Sequence, residues 1–182
     1  LISTHLWADN NESETKSPTN LQELTAAIEE KLEYHSVAGV SLSLIDADGN
    51  EFATGLGLAD KEQNKAADAD TLFRIGSVSK MFVSLAALKL QEQGKLDLNT
   101  PFKDIAADIA FDNPWADTDP VRLVHLLEHT AGWDDIHLAE YANNDPTPLS
   151  LKQGLDFHPD SRMSRWRPGD AMAYSNSGPP AV

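Results

Sequence analysis

The stretch Phe73-Arg74-Ile75-Gly76-Ser77-Val78-Ser79-Lys80 decides the reading of this chain. A tight, glycine-containing approach leads into an apolar run in which Val78, Met81, Phe82, Leu85, Ala86 and Leu88 form one broad helical face. The spacing predicts a helix from about Ser77 to Gln93, stopped by Gly94. Residues three apart on a helix share a face, so Ser77 and Lys80 lie together. A serine in the first turn has its hydroxyl near unpaired backbone N–H groups and the positive end of the helix dipole. An amine one turn later can take the hydroxyl proton or stabilise the alkoxide. Ser-x-x-Lys also arises by chance on helix surfaces, so its weight depends on what surrounds it.

Upstream, Asn20 with Glu23 three residues on predicts an N-cap with a capping box. Leu21, Leu24, Ile28 and Leu32 continue it as an amphipathic helix to about His35. Val40, Leu42 and Leu44 alternate with Ser41, Ser43 and Ile45, the pattern of a strand. Asp48-Gly49 predicts a hairpin turn, because glycine accepts the positive φ such turns need. Phe52, Thr54, Leu56 and Leu58 form the return strand. Residues 1–19 are polar and unpatterned and are expected to be a leader or tether; residues 20–182 are expected to belong to one domain.

Downstream, residues 95–119 read as a loop region. Asp119 is expected to cap a short helix with Pro120 at its first position, Leu123, Leu126 and Leu127 facing inward and Gly132 ending it. Residues 133–182 carry Pro146, Pro148, Pro159, Pro168, Pro179 and Pro180, and are expected to be mostly irregular with short helices.

A second chemical constellation is Tyr174-Ser175-Asn176. A phenol titrates near pH 10 in water, and beside Lys80 its anionic form is favoured, which makes it a usable base. Asn176 offers a donor and an acceptor, suited to a substrate amide and to the lysine. A third feature is Leu126-Leu127-Glu128-His129-Thr130-Ala131-Gly132, and a fourth is Arg167-Pro168-Gly169-Asp170 ahead of Tyr174. Each alone reads equally well as a turn or a cap.

In this order, the four segments resemble the serine β-lactamase and penicillin-binding-protein family: class C β-lactamases, D-Ala-D-Ala carboxypeptidases and related esterases. The resemblance covers residues 21–180 and implies an α+β, β-lactamase/transpeptidase-like fold, a helical region with an antiparallel sheet. It implies that Ser77 attacks a carbonyl to form an acyl-enzyme, that Lys80 and Tyr174 manage the protons and that Asn176 positions substrate. The oxyanion would be held by the Ser77 N–H and a donor from a later strand. His129 and Gly132 would be structural, a helix end packed behind the site. β-Lactams, D-Ala-D-Ala peptides and small esters are the implied substrates, peptidoglycan-type or small-molecule. No cofactor or metal is implied, and a periplasmic or secreted location is.

The family carries a further Lys-Thr-Gly or His-x-Gly segment well after Tyr-x-Asn, whereas Val182 lies six residues past Asn176. Only the N-terminal hairpin of the sheet is expected here. The chain is therefore expected to be a truncated, impaired product or to be completed by a second chain, with apolar surface left exposed on the hairpin and the Ser77 helix. Its start at Leu1 rather than Met leads to the expectation that a signal peptide was removed.

His125-Leu126-Leu127-Glu128-His129 supports a rival reading. As a literal H-x-x-E-H it is a zinc-peptidase signature, with His125 and His129 one helical turn apart, Glu128 as base and an acid such as Glu140 as third ligand. A non-catalytic homologue that keeps the fold is the other alternative.

Bulk properties narrow the field. With 29 Asp and Glu against 14 Lys and Arg, the net charge of -15 repels phosphate backbones and argues against nucleic-acid binding. Such acidity fits solubility or salt adaptation better than a binding device. With no cysteine, disulfides, thiolate catalysis and thiolate metal sites are excluded. No apolar run reaches the roughly 18 residues a membrane-spanning segment needs.

Overall fold

The computed structural model describes residues 17–137, 145–157 and 159–182. The chain divides into two compact units, one up to Arg74 and one from Ile75 to Val182.

The first unit begins with α1 (Leu21–Tyr34). The Asn20 side chain accepts the Glu23 N–H at 2.9 Å, as the cap spacing predicts. The reciprocal half of the expected box goes elsewhere. Glu23 Oε2 accepts from the Thr19 N–H at 2.7 Å and from the Thr19 hydroxyl at 2.8 Å. Thr19 offers the carboxylate two donors where Asn20 offers one backbone N–H, so the contact moves back one residue.

β1 (Gly39–Ile45) pairs antiparallel with β2 (Glu51–Asp60), setting Val40 opposite Leu56 and Leu44 opposite Phe52. Val40, Leu42 and Leu44 are half-buried while Ser41, Ser43 and Ile45 are exposed, the alternation that the sequence predicts. The turn is organised by Asp46. Its Oδ1 accepts the N–H groups of Asp48 and Asn50 at 2.9 and 2.8 Å, and Gly49 follows at φ 84°. A third strand, β3 (Lys65–Ala66), adds to the far edge of β2. The sheet is thus a three-stranded β1-β2-β3 meander rather than a bare hairpin. Two residues are too few to show a strand period, which is why pattern reading misses β3.

In the second unit, α2 (Val78–Glu92) ends as its sequence predicts. Gly94 takes φ 67°, its N–H bonds Gln91 O, and the Lys95 N–H bonds Leu90 O, both at 2.9 Å. These are the two reversed bonds of a Schellman stop. The apolar face of α2 stays open, with Met81, Phe82 and Leu85 each more than half exposed.

α3 (Phe102–Ile105) and α4 (Leu123–Leu127) build the core with Trp133. Phe102, Phe111 and Trp133 form a mutual aromatic cluster with ring centroids 5.5–5.9 Å apart. Leu123 and Leu126 are buried and Leu127 is partly so.

α4 does not start at Asp119-Pro120 as expected. The Asp119 side chain accepts from the Thr118 hydroxyl instead of capping, and residues around 121 pair with the chain near Pro101. Val121 O accepts the Phe102 N–H at 2.7 Å, and the Val124 N–H reaches Leu98 O at 2.9 Å. Pairing across the unit outweighs a local start signal, and Arg122 becomes the N-cap.

The remaining elements are short, as the proline density predicts: α5 (Leu151–Asp156), a 3-10 turn (Pro159–Arg162) and α6 (Gly178–Ala181). Arg162 is buried and ties the 3-10 turn to α5 and to the chain at residue 110. Its Nε donates to Ala110 O at 2.7 Å, and its other nitrogens reach Leu155 O and Asp156 Oδ1.

Candidate active site

Ser77 sits at the N-cap of α2 with helical φ and ψ of -68° and -10°, and its hydroxyl makes no capping bond. In that conformation the side chain points away from the N–H groups it would otherwise cap. The hydroxyl oxygen instead accepts from Lys80 Nζ at 3.1 Å and from the Tyr174 O–H at 2.7 Å. Lys80 Nζ also donates to Asn176 Oδ1 at 2.6 Å and lies 5.0 Å from the centre of the Tyr174 ring. All four residues singled out in the sequence therefore meet at one point, although Tyr174 and Ser77 are 97 positions apart.

Tyr174 and Asn176 both reach the Ser77–Lys80 pair, while the residue between them is turned inward. Ser175 is buried, its hydroxyl donating to Asp134 O at 2.8 Å and accepting the Ser177 N–H at 3.1 Å. The segment is held further by the Ala173 N–H on His129 O at 2.9 Å and the Ser175 N–H on His129 Nδ1 at 3.2 Å. Gly178 then opens α6 against α4, where an added Cβ would stand 2.7 Å from Leu126 O. Only glycine permits that approach without a backbone shift.

The structure corrects the expectation for the segment after α4. The helix stops at Leu127 with Glu128 as its C-cap, and His129 takes the left-handed φ of 60° that ends it. Gly132 does not end the helix. It takes φ 75° where the chain presses against residues 165–166, and a Cβ there would lie 2.9 Å from Trp166 O. His129 packs behind the site as expected, its ring tilted by 33° against that of Tyr174 with centroids 4.4 Å apart.

The same geometry removes the premise of the zinc reading. His125 is inside α4 and His129 lies beyond its C-cap at φ 60°, so the two do not share one continuous helical face. His125 Nδ1 accepts the Arg122 N–H at 3.2 Å, capping its own helix, and His129 Nδ1 is taken by Ser175. Glu140, the suggested third ligand, lies outside the described residues. Among the described residues no group of three or more His, Cys, Asp or Glu side chains is placed to hold a metal ion.

Electrostatics favour a reactive phenol. The Lys80 ammonium, foremost, and the Ser77 hydroxyl hold the Tyr174 phenol below its ordinary value, while burial and the Asp135 carboxylate oppose them. Burial, followed by the Lys80 charge, pushes His129 below the usual histidine range. The Ser175 N–H bond to Nδ1 fits the neutral ring.

One contributor escapes the sequence reading. Asp135 Oδ1 accepts the backbone N–H and the side-chain Nδ2 of Asn176, both at 2.9 Å, and its neighbour Ile136 N–H at 2.8 Å. Burial of Asp135 favours its neutral form, but these bonds and Lys80 prevail and hold its carboxyl below the usual range. The contact spans 41 residues, and no local period signals it. Beside Asn176 an open cleft of about 280 Å³ is lined by Ile136, Leu149, Leu151, Leu155 and Pro180.

Residues 24–178 match the family model described as Beta-lactamase. The chain belongs to the β-lactamase family. It is 27% identical over 169 residues to a β-lactamase of Yersinia enterocolitica, covering 90% of this chain and 40% of that protein. It is 35% identical over 134 residues to Esterase EstB of Burkholderia gladioli, covering 65% of this chain and 33% of the esterase. Among solved structures, the octameric penicillin-binding protein homologue from Pyrococcus abyssi superposes with a TM-score of 0.72 at 28% identity, covering 89% of this chain and 37% of that one. The chain thus spans about two fifths or less of the length of these relatives. The helical region with a small antiparallel sheet is that part of the β-lactamase/transpeptidase fold which the matched family segments imply.

Proposed function

We propose that the site belongs to a serine hydrolase working through an acyl-enzyme. The observation that carries this reading is the convergence of Lys80 Nζ and Tyr174 OH on Ser77 Oγ. With Tyr174 ionised, the 2.7 Å hydrogen bond reverses and the Ser77 O–H donates to the phenolate. Attack on a substrate carbonyl passes the serine proton to Tyr174 while the oxygen–carbon bond forms. The Lys80 charge offsets negative charge on both oxygens. Collapse of the tetrahedral intermediate expels the leaving group, which takes the proton back from Tyr174. Water then attacks the ester and gives its proton to the same base; the acyl–Oγ bond breaks, Ser77 Oγ takes that proton back from Tyr174, and the acid product leaves. The Ser77 N–H serves as one oxyanion donor, and Asn176 binds a substrate amide or carbonyl while it holds Lys80.

We read the substrates as β-lactams, D-Ala-D-Ala peptides or small esters, with an apolar group in the cleft beside Asn176. A periplasmic or secreted site of action is part of the same proposal, as is a second chain that completes the sheet and covers the apolar face of α2. Among the described residues no helix is long and apolar enough to cross a membrane.

Incubation with a fluorescent penicillin and with an activated fluorescent ester tests the nucleophile. Covalent labelling lost in Ser77→Ala supports it. Labelling that survives in Ser77→Ala, or none at all with either probe, overturns it in favour of a binding protein that keeps the fold.

A further inference from the structure

We propose that Asp135 is a positioning residue that sets the orientation of the Asn176 amide and so holds Lys80 on Ser77, an inference that rests on the acyl-enzyme reading. An asparagine amide has nearly the same shape in its two flipped orientations, and only its partners distinguish them. Here the two sides carry opposite demands. Lys80 Nζ is donor-only and meets Oδ1 at 2.6 Å, whereas the ionised Asp135 carboxylate is acceptor-only and meets Nδ2 at 2.9 Å. In the flipped state two donors would face each other at Lys80 and two acceptors at Asp135. The same Asp135 Oδ1 also takes the Asn176 backbone N–H, so main chain and side chain are fixed together. Asp135 itself is held by the Ile136 N–H at 2.8 Å and by its place after Asp134, whose carbonyl binds the Ser175 hydroxyl. The chain Asp135–Asn176–Lys80–Ser77 is thus continuous, and Asp135 touches neither the nucleophile nor the base.

This geometry separates two properties of the carboxylate. Its acceptor oxygen orients the amide, and an asparagine at position 135 supplies an equivalent oxygen. Its charge acts on Tyr174, which faces Lys80 from α2, His129 from the turn after α4, and Asp135. Negative charge at Asp135 opposes ionisation of the phenol, so removing it moves the Tyr174 titration to lower pH.

The test uses Asp135→Asn and Asp135→Ala in the whole chain. Labelling rates with the fluorescent penicillin and ester are measured against pH, and tyrosinate absorbance is titrated with Tyr174→Phe subtracted. Asp135→Ala is expected to slow labelling about 10- to 100-fold, the usual cost of removing a supporting partner. Asp135→Asn is expected to restore the rate to within about threefold of the parent, with the acid limb and the phenol titration both moved to lower pH. Equal losses in both variants with an unmoved phenol titration and a lowered melting temperature would mark a merely structural residue and overturn the proposal. Parent-like rates and titrations in both would overturn it as well. A parent chain that takes neither label defeats the acyl-enzyme reading instead. The phenol titration then judges Asp135 alone: a downward shift in Asp135→Asn upholds its coupling to the site, and no shift overturns it.

Discussion

The two halves of the candidate site are built in different ways. Ser77 and Lys80 are brought together by one turn of α2, so their 3.1 Å contact needs only local helix geometry. Tyr174 and Asn176 sit on a stretch with no helix or ladder of its own. Their direction comes from His129, Asp134 and Asp135, more than 40 positions away. The first half is local and open, the second non-local and clamped. A local half tolerates change around it, whereas a clamped half transmits distant changes to the chemistry. A displacement of about 1 Å in such a constellation is enough to cost on the order of a hundredfold in rate.

The largest effect should come from the shared atom. Ser77→Ala is expected to abolish covalent labelling, a loss of about a thousandfold or more, while Ser79→Ala, two residues along the same helix, should label at close to the parent rate. A large loss in Ser79→Ala would show that the local half is not as tolerant as its construction implies. Next, Tyr174→Phe should slow labelling by about 10²- to 10⁴-fold. On the proposed mechanism the phenolate is the base, so the parent rate should fall as pH drops through the Tyr174 titration, which lies below the ordinary phenol value. In Tyr174→Phe that limb should vanish from the pH profile.

A test of the clamp alone is Gly178→Ala. The new Cβ would meet Leu126 O, and forcing the two apart is expected to cost about 1–3 kcal/mol. Thermal melting should record the loss, and labelling should slow with it, because Tyr174 and Asn176 precede the displaced helix. Undisturbed labelling with a lowered melting temperature would show that the clamp and the chemistry are uncoupled.

The smallest effect concerns acid. His125 and His129 are both held below the usual 6.5 by burial, so the unfolded chain binds protons that the folded one refuses. Stability contributed by the neutral rings is present above about pH 6.5 and drains away as pH falls below it, down to the folded titration points. Melting temperature should therefore decline from pH 7 to pH 5, and less steeply in His129→Gln. Equal slopes in the two chains would remove His129 from this account.

How much of this was legible beforehand follows the same division. The β1–β2 alternation, the Asn20 cap, α2 with its Gly94 stop and the Ser77–Lys80 pair are readable because each depends on residues within a turn or a strand period. The start of α4 was misplaced because pairing of residues 121–124 with residues 98–102 overrode the Asp119-Pro120 signal. The H-x-x-E-H spacing misled for a related reason, since it promises two histidines on one helix face only where the helix continues. Tyr174 and Asn176 were found through the ordered family segments rather than through any local pattern. Asp135 was not found at all.

Sequence alone therefore determined which residues meet in the candidate site, the helix that carries two of them, and the family to which the ordered segments belong. These rest on spacing along the chain, which covalent geometry and helix periodicity convert directly into proximity. Only the tertiary structure decided which carboxylate holds Asn176, that the His129 ring packs against Tyr174, and that the helix before it ends short of the second histidine. Those outcomes depend on competition among donors and acceptors far apart in sequence, and that competition is resolved only when the chain is folded.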